Sequence, residues 1–193
     1  MTSWMTKTSN LHSPLLKDKL LITIVMEVLS LNSYEILLDE ARNIGLVVKE
    51  KPLQSGDGRI KGNKIAIRHD IKTSRQKANV LAEELGHYYT STGDIRDQST
   101  LENRKQERQA RLHGYNRLIG LMGIIHAFNA ECQNKYEIAD FLDVTEEYLE
   151  DCIDCYRDKY GEYKIVDNYT IYFIETLCKS ILNMCNTAEI NKL

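Results

Sequence analysis

Leu81-Ala82-Glu83-Glu84-Leu85-Gly86-His87-Tyr88-Tyr89 is the most informative stretch of this sequence. Upstream, Thr73 with Gln76 three residues later has the form of a capping box. That spacing predicts a helix from Ser74 to about Tyr89, ended by Thr90-Ser91-Thr92-Gly93. Residues four apart on a helix share one face, one turn from each other. Glu83 and His87 can therefore reach a single point, and Glu84 borders the same space. An acidic pair followed by one histidine also occurs on ordinary solvated helices, so the surrounding chain has to discriminate.

Downstream, Ser99 with Glu102 signals a second helix start. This helix carries Glu107, Ala110 and Leu118 and runs toward Phe128. A turn at Gly93 lets it return antiparallel, and Ala110 is small enough for a close approach. Upstream, Pro52, Gly56, Gly58 and Gly62 punctuate Val47 to Ile71, and Lys64-Ile65-Ala66-Ile67-Arg68 alternates as a half-buried strand does. A small antiparallel sheet is expected there. Leu15 to Ile44 reads as helices with a break near Asn32-Ser33, and Tyr136 to Tyr160 as short helices. Asn168 to Phe173 has the β-branched and aromatic pattern of a strand. The expected class is α+β and mostly helical. It divides into an extension at 1–32, a catalytic domain at 33–130 and a helical extension at 131–193.

The chemistry implied by the helix is that of a metal site. A zincin helix carries His-Glu-x-x-His, which supplies two zinc ligands and a general base. Here Glu83 stands at the first ligand position, His87 at the second and Glu84 at the base. Catalytic zinc holds three protein ligands. Glu107 leads for the third place, with His113 and Glu102 as alternatives. The reaction would be amide hydrolysis, with Glu84 moving the proton and Tyr88 or Tyr89 meeting the oxyanion. Manganese or iron would suit two carboxylates and an imidazole as well as zinc does.

Composition excludes several other classes. The chain has 193 residues, 42% hydrophobic and 27% charged, with 2 prolines and 10 glycines, a profile of folded rather than disordered protein. The apolar run Leu20 to Met26 is too short to span a bilayer and is followed by Glu27, so no membrane role is expected. The 5 cysteines are an odd number and no cleavable leader is evident, which suits reduced thiols in the cytoplasm. Glu137 to Leu149 has the look of a helix-turn-helix. Between Glu131 and Tyr163, however, 3 bases face 11 acids, and that balance repels phosphate. No nucleic acid partner is expected.

Cys152-Ile153-Asp154-Cys155 has no second Cys-x-x-Cys pair to complete a zinc site and reads as thiols on a helix face. His69 and His126 stand alone. Arg104, Lys105, Arg108 and Arg111 read as the solvated face of the second helix or as a surface for an acidic partner.

Leu81 to Ile95 resembles the active-site helix of the ImmA/IrrE metallo-endopeptidases, including the Glu-Glu-x-Gly-His variant found on prophages and mobile elements. Glu107 followed by Ala110 resembles that family's second motif, and Gly62 to Lys77 is similar to its short sheet and capped helix. The resemblance covers roughly Ser33 to Leu182. It implies a zincin-like α+β fold and Zn2+ held by Glu83, His87 and Glu107, with Glu84 catalytic. It also implies cleavage of a helix-turn-helix repressor that keeps a phage or mobile element silent. An inactive module that binds the repressor without cutting it is the alternative.

Overall fold

The computed structural model describes residues 32–91, 99–173 and 185–186. The expected loose start and first helix, together with Thr92, Gly93 and Cys178, lie outside the described residues.

Helix α1 spans Ser33–Asn43 and begins at a full capping box. The Asn32 side chain accepts from the Glu35 N–H, and the Glu35 carboxylate accepts from the Asn32 N–H, both at 3.0 Å. Strands β1 (Val47–Lys51), β2 (Gly58–Lys61) and β3 (Lys64–Arg68) form a sheet in the order β1-β3-β2. The sheet is mixed rather than wholly antiparallel. β2 pairs antiparallel with β3, as expected, but β1 runs parallel to β3, with Val48 opposite Ile65. A parallel pair normally needs a long crossover. Here β2 supplies the return pass, so residues 52–57 suffice. Ile65 and Ile67 of the central strand are fully buried.

Helix α2 (Ser74–Thr90) follows, one residue longer than expected. Thr73 caps it by accepting from the Gln76 N–H at 3.2 Å. The Gln76 side chain meets the Thr73 hydroxyl instead of its backbone, so the box is only half made. Helix α3 (Leu101–Leu118) starts one residue later than the Ser99 signal, because Thr100 caps it by accepting from the Asn103 N–H. It stops short of Phe128. The chain breaks at Ile119 and Gly120, where φ is +62°, and resumes as α4 (Gly120–Asn129). Helices α5 (Lys135–Phe141) and α6 (Glu146–Tyr160) make the expected helix-turn-helix shape. The chain continues into β4 (Tyr163–Val166), β5 (Tyr169–Tyr172) and β6 (Cys185–Asn186). No described helix is long and apolar enough to cross a membrane.

Two apolar clusters position the site. Leu37, Ile65, Ile67, Leu81 and Leu85 pack α1 and the sheet against one face of α2. Ile124, Ile138, Leu149, Tyr156 and Phe173 form the second cluster, which Tyr115 joins from α3. Burying a side chain such as Leu81 or Tyr156 contributes roughly 2 kcal/mol against solvent. Cys152 is buried in this second cluster, and Cys132, Cys152 and Cys155 are free thiols. Of the tyrosines near the end of the chain, Tyr156 is core and Tyr163 is exposed.

A charged clamp joins the helix starts to the turn between α5 and α6. Asp143 accepts from the Ser33 N–H at 3.0 Å and from Arg75 Nε at 3.2 Å, while Arg75 also reaches Asp140 at 2.9 Å. Burial alone would raise the Asp143 carboxyl. The Ser33 and Arg75 donors outweigh it and hold the group below its usual value. A lowered acid stabilises the fold above its ordinary value near pH 4 and loses that contribution as pH falls through the folded value. Asp143→Asn should therefore cost about 1 kcal/mol at neutral pH, a small figure because the pair is partly solvated. The difference from wild type should vanish in strong acid. Urea midpoints measured at neutral and acid pH check this, and a pH-independent difference would sink the claim.

Candidate metal centre

Helices α2 and α3 lie against each other with very little between them. A Cβ built on Gly86 would sit 2.1 Å from the Ala110 carbonyl oxygen and 2.8 Å from its carbon. One turn back on α2 and one turn on along α3, a Cβ on Gly114 would stand 3.1 Å from the Ala82 carbonyl. Gly86 against Ala110 and Ala82 against Gly114 thus form two rungs of one antiparallel contact. Ala110 played this part in the sequence reading; Gly86 and Gly114 did not.

This contact fixes the distance between the two sets of candidate ligands. Glu83 and His87 come from α2 and Glu107 from α3. One ligand atom of each lies within 4.8 Å of the others, and among the described residues no other such group forms. His87 Nε2 and Glu107 Oε2 are 3.6 Å apart. Two ligand atoms of a tetrahedral zinc lie about 3.4 Å apart, given bonds of roughly 2.1 Å. The donor set therefore fits the ion after small side-chain adjustments. His87 Nδ1 lies 3.1 Å from Ser91 Oγ, which orients the ring and leaves Nε2 to the cluster. The other expected third ligands stand apart. Glu102 is exposed in the first turn of α3, and His113 stacks on Tyr89 at 4.9 Å.

Glu84 sits beside the cluster and is only 8% exposed. Burial first, then the charges of Glu83 and Glu107, push its carboxyl up to about 8, against the pull of the Ile60 N–H and Arg59. Glu83 is raised as well, again mainly by burial. Strand β2 passes directly over Glu84. A Cβ on Gly58 would meet Glu84 Oε1 at 2.5 Å and Val80 Cγ1 at 2.7 Å, so only glycine leaves the carboxylate its place. The sequence reading took Gly58 for loop punctuation.

Glu84, His87 and Glu107 line a cleft of about 1340 Å³. Strand β2 with Arg59 and Lys61 forms one wall. The others come from α3 and from Asp151, Asp154 and Asp158 of α6. Tyr88 lines the cleft, whereas Tyr89 does not. Arg104, Arg108 and Arg111 line it too. All three are exposed, as expected of a solvated face, while they border the cleft. Their spacing on α3 turns them to the side that Glu107 occupies.

A family profile for the IrrE N-terminal-like peptidase domain matches residues 41–151. The chain belongs to that peptidase family. The matched span runs from the end of α1 to the start of α6 and contains Glu83, Glu84, His87 and Glu107. No curated protein and no solved structure matches the chain. Family membership makes this a metallopeptidase-type protein, in keeping with the glutamate and histidine cluster.

Proposed function

We propose that this protein is a zinc-dependent endopeptidase of the cytoplasm that cleaves a helix-turn-helix repressor at one site and so releases a phage or mobile element. The supporting observation is the meeting of Glu83, His87 and Glu107 next to the buried Glu84, with His87, Glu107 and Glu84 lining a cleft. The cleft volume exceeds the roughly 300–1,000 Å³ of small-molecule sites and suits a length of polypeptide.

In this reading Glu83, His87 and Glu107 hold the ion. When bound, zinc supplies Lewis acidity at the scissile peptide. Glu84 takes a proton from the attacking water and passes it to the departing amine; a cation held beside it would favour the ionised carboxylate that this task needs. Tyr88 offers its hydroxyl to the carbonyl oxygen. The acidic surface of α5 and α6 favours a protein partner over DNA.

Metal content is the first test. The wild type should carry about one zinc per chain, as for a three-ligand site. His87→Ala should carry far less, and only the wild type should cleave candidate repressors. Absence of zinc from the wild type, even after zinc is added, would defeat the peptidase reading. Repressor binding without cleavage would then be the activity to assay.

A further inference from the structure

We propose that Arg111 is the charge-compensating residue of this metal centre, a role that rests on the metal reading above. Two glutamates and a histidine place two negative charges around the ion, one more than two histidines and a glutamate would. The extra carboxylate holds a cation more firmly but weakens it as a Lewis acid, since part of its charge is already neutralised.

Arg111 stands where it can offset that charge. Its Nε lies 2.9 Å from Glu107 Oε1 and 3.5 Å from Glu83 Oε1, so a single guanidinium touches both glutamates. Glu107 is shared between two neighbours. One oxygen faces His87 Nε2 at 3.6 Å and the other faces Arg111. The guanidinium thus orients the carboxylate from outside and leaves the inner oxygen to the ion. Arg111 lies one turn beyond Glu107 on α3, and its side chain is about half exposed. It holds no part of the core, so its loss leaves the fold in place.

A positive charge beside a cation site lowers affinity for the ion and raises the ion's effective charge. Two opposite changes follow from its removal. Arg111→Gln should bind zinc about tenfold more tightly and hydrolyse substrate more slowly. Arg111→Lys, which keeps the charge, should hold zinc with nearly wild-type affinity. A merely structural arginine would give the reverse pattern for affinity, because disordering Glu107 weakens metal binding.

The experiment is competition for zinc against a chelating indicator, using the full chain as wild type, Arg111→Gln, Arg111→Met and Arg111→Lys. Melting temperatures measured alongside establish that each variant is folded. Tightening in both neutral variants, and not in the lysine variant, supports the proposal. Equal or weaker zinc affinity in the folded neutral variants overturns it while leaving the metal reading intact. A wild type that takes up no zinc overturns both.

Discussion

Gly86→Ala should be the most damaging single-methyl change in this protein, lowering stability by about 3 kcal/mol or more and zinc affinity by over tenfold. The new Cβ would lie 2.1, 2.8 and 3.2 Å from the Ala110 carbonyl oxygen, carbon and Cα. All three are backbone atoms of a helix, and no rotamer can move them away. Either α2 and α3 separate or one of them bends. Both responses pull Glu107 on α3 away from Glu83 and His87 on α2, so stability and metal binding fall together. Urea unfolding with and without zinc measures both. A folded Gly86→Ala protein with the wild-type midpoint and zinc affinity would contradict the helix contact described here. Ala110→Gly, which removes a side chain without adding a clash, should do much less harm.

Gly86 also shows where sequence reasoning stops. In the middle of a helix, glycine costs roughly 0.5–1 kcal/mol relative to alanine and reads as a weakness. Its benefit lies in a partner helix that is a couple of dozen residues further on. The meeting of Glu83, His87 and Glu107 was legible for a different reason. Glu83 and His87 are a local pair, related by helix geometry alone, and the Thr73 cap fixes the helix that carries them. Glu107 led from the antiparallel return of its helix and from Ala110, but setting it above His113 and Glu102 needed the resemblance, because its distance from His87 depends on the Gly86–Ala110 contact.

The same distinction separates the elements that were readable from those that were not. Caps and alternation found α2, β3 and the start of α3 to within one or two residues, but not the end of α3, which the break at Ile119 and Gly120 sets at Leu118. The direction of β1 was invisible, because pairing between β1 and β3 depends on where β2 sends the chain. The basic residues of α3 were readable only in part, for a related reason. Arg104, Arg108 and Arg111 are solvated, as the isolated helix suggests, and it is β2 and α6 that make their face the border of a cleft. Non-local geometry converts a charge run into part of a site, and it does so without any motif.

Glu84→Gln should abolish cleavage while leaving the metal centre intact. Loss of a positioned acid–base group lowers turnover by about 10²–10⁴-fold. Glutamine keeps the size of glutamate and can still accept from the Ile60 N–H. It therefore fits beneath Gly58, whose missing side chain leaves room for a residue of this size. It also removes a carboxyl whose ionisation burial, Glu83 and Glu107 all oppose, so the fold should be at least as stable as wild type, with the gain growing as pH rises to about 8. The expected combination is full zinc content, an unchanged or higher melting temperature and no cleavage. Loss of zinc together with activity would instead place Glu84 among the ligands and require a different base. Undiminished cleavage would remove Glu84 from the mechanism altogether. Any repressor effect that survives in Glu84→Gln is then a binding effect, carried by the cleft walls rather than by hydrolysis, so this one variant separates the enzyme from the binding module.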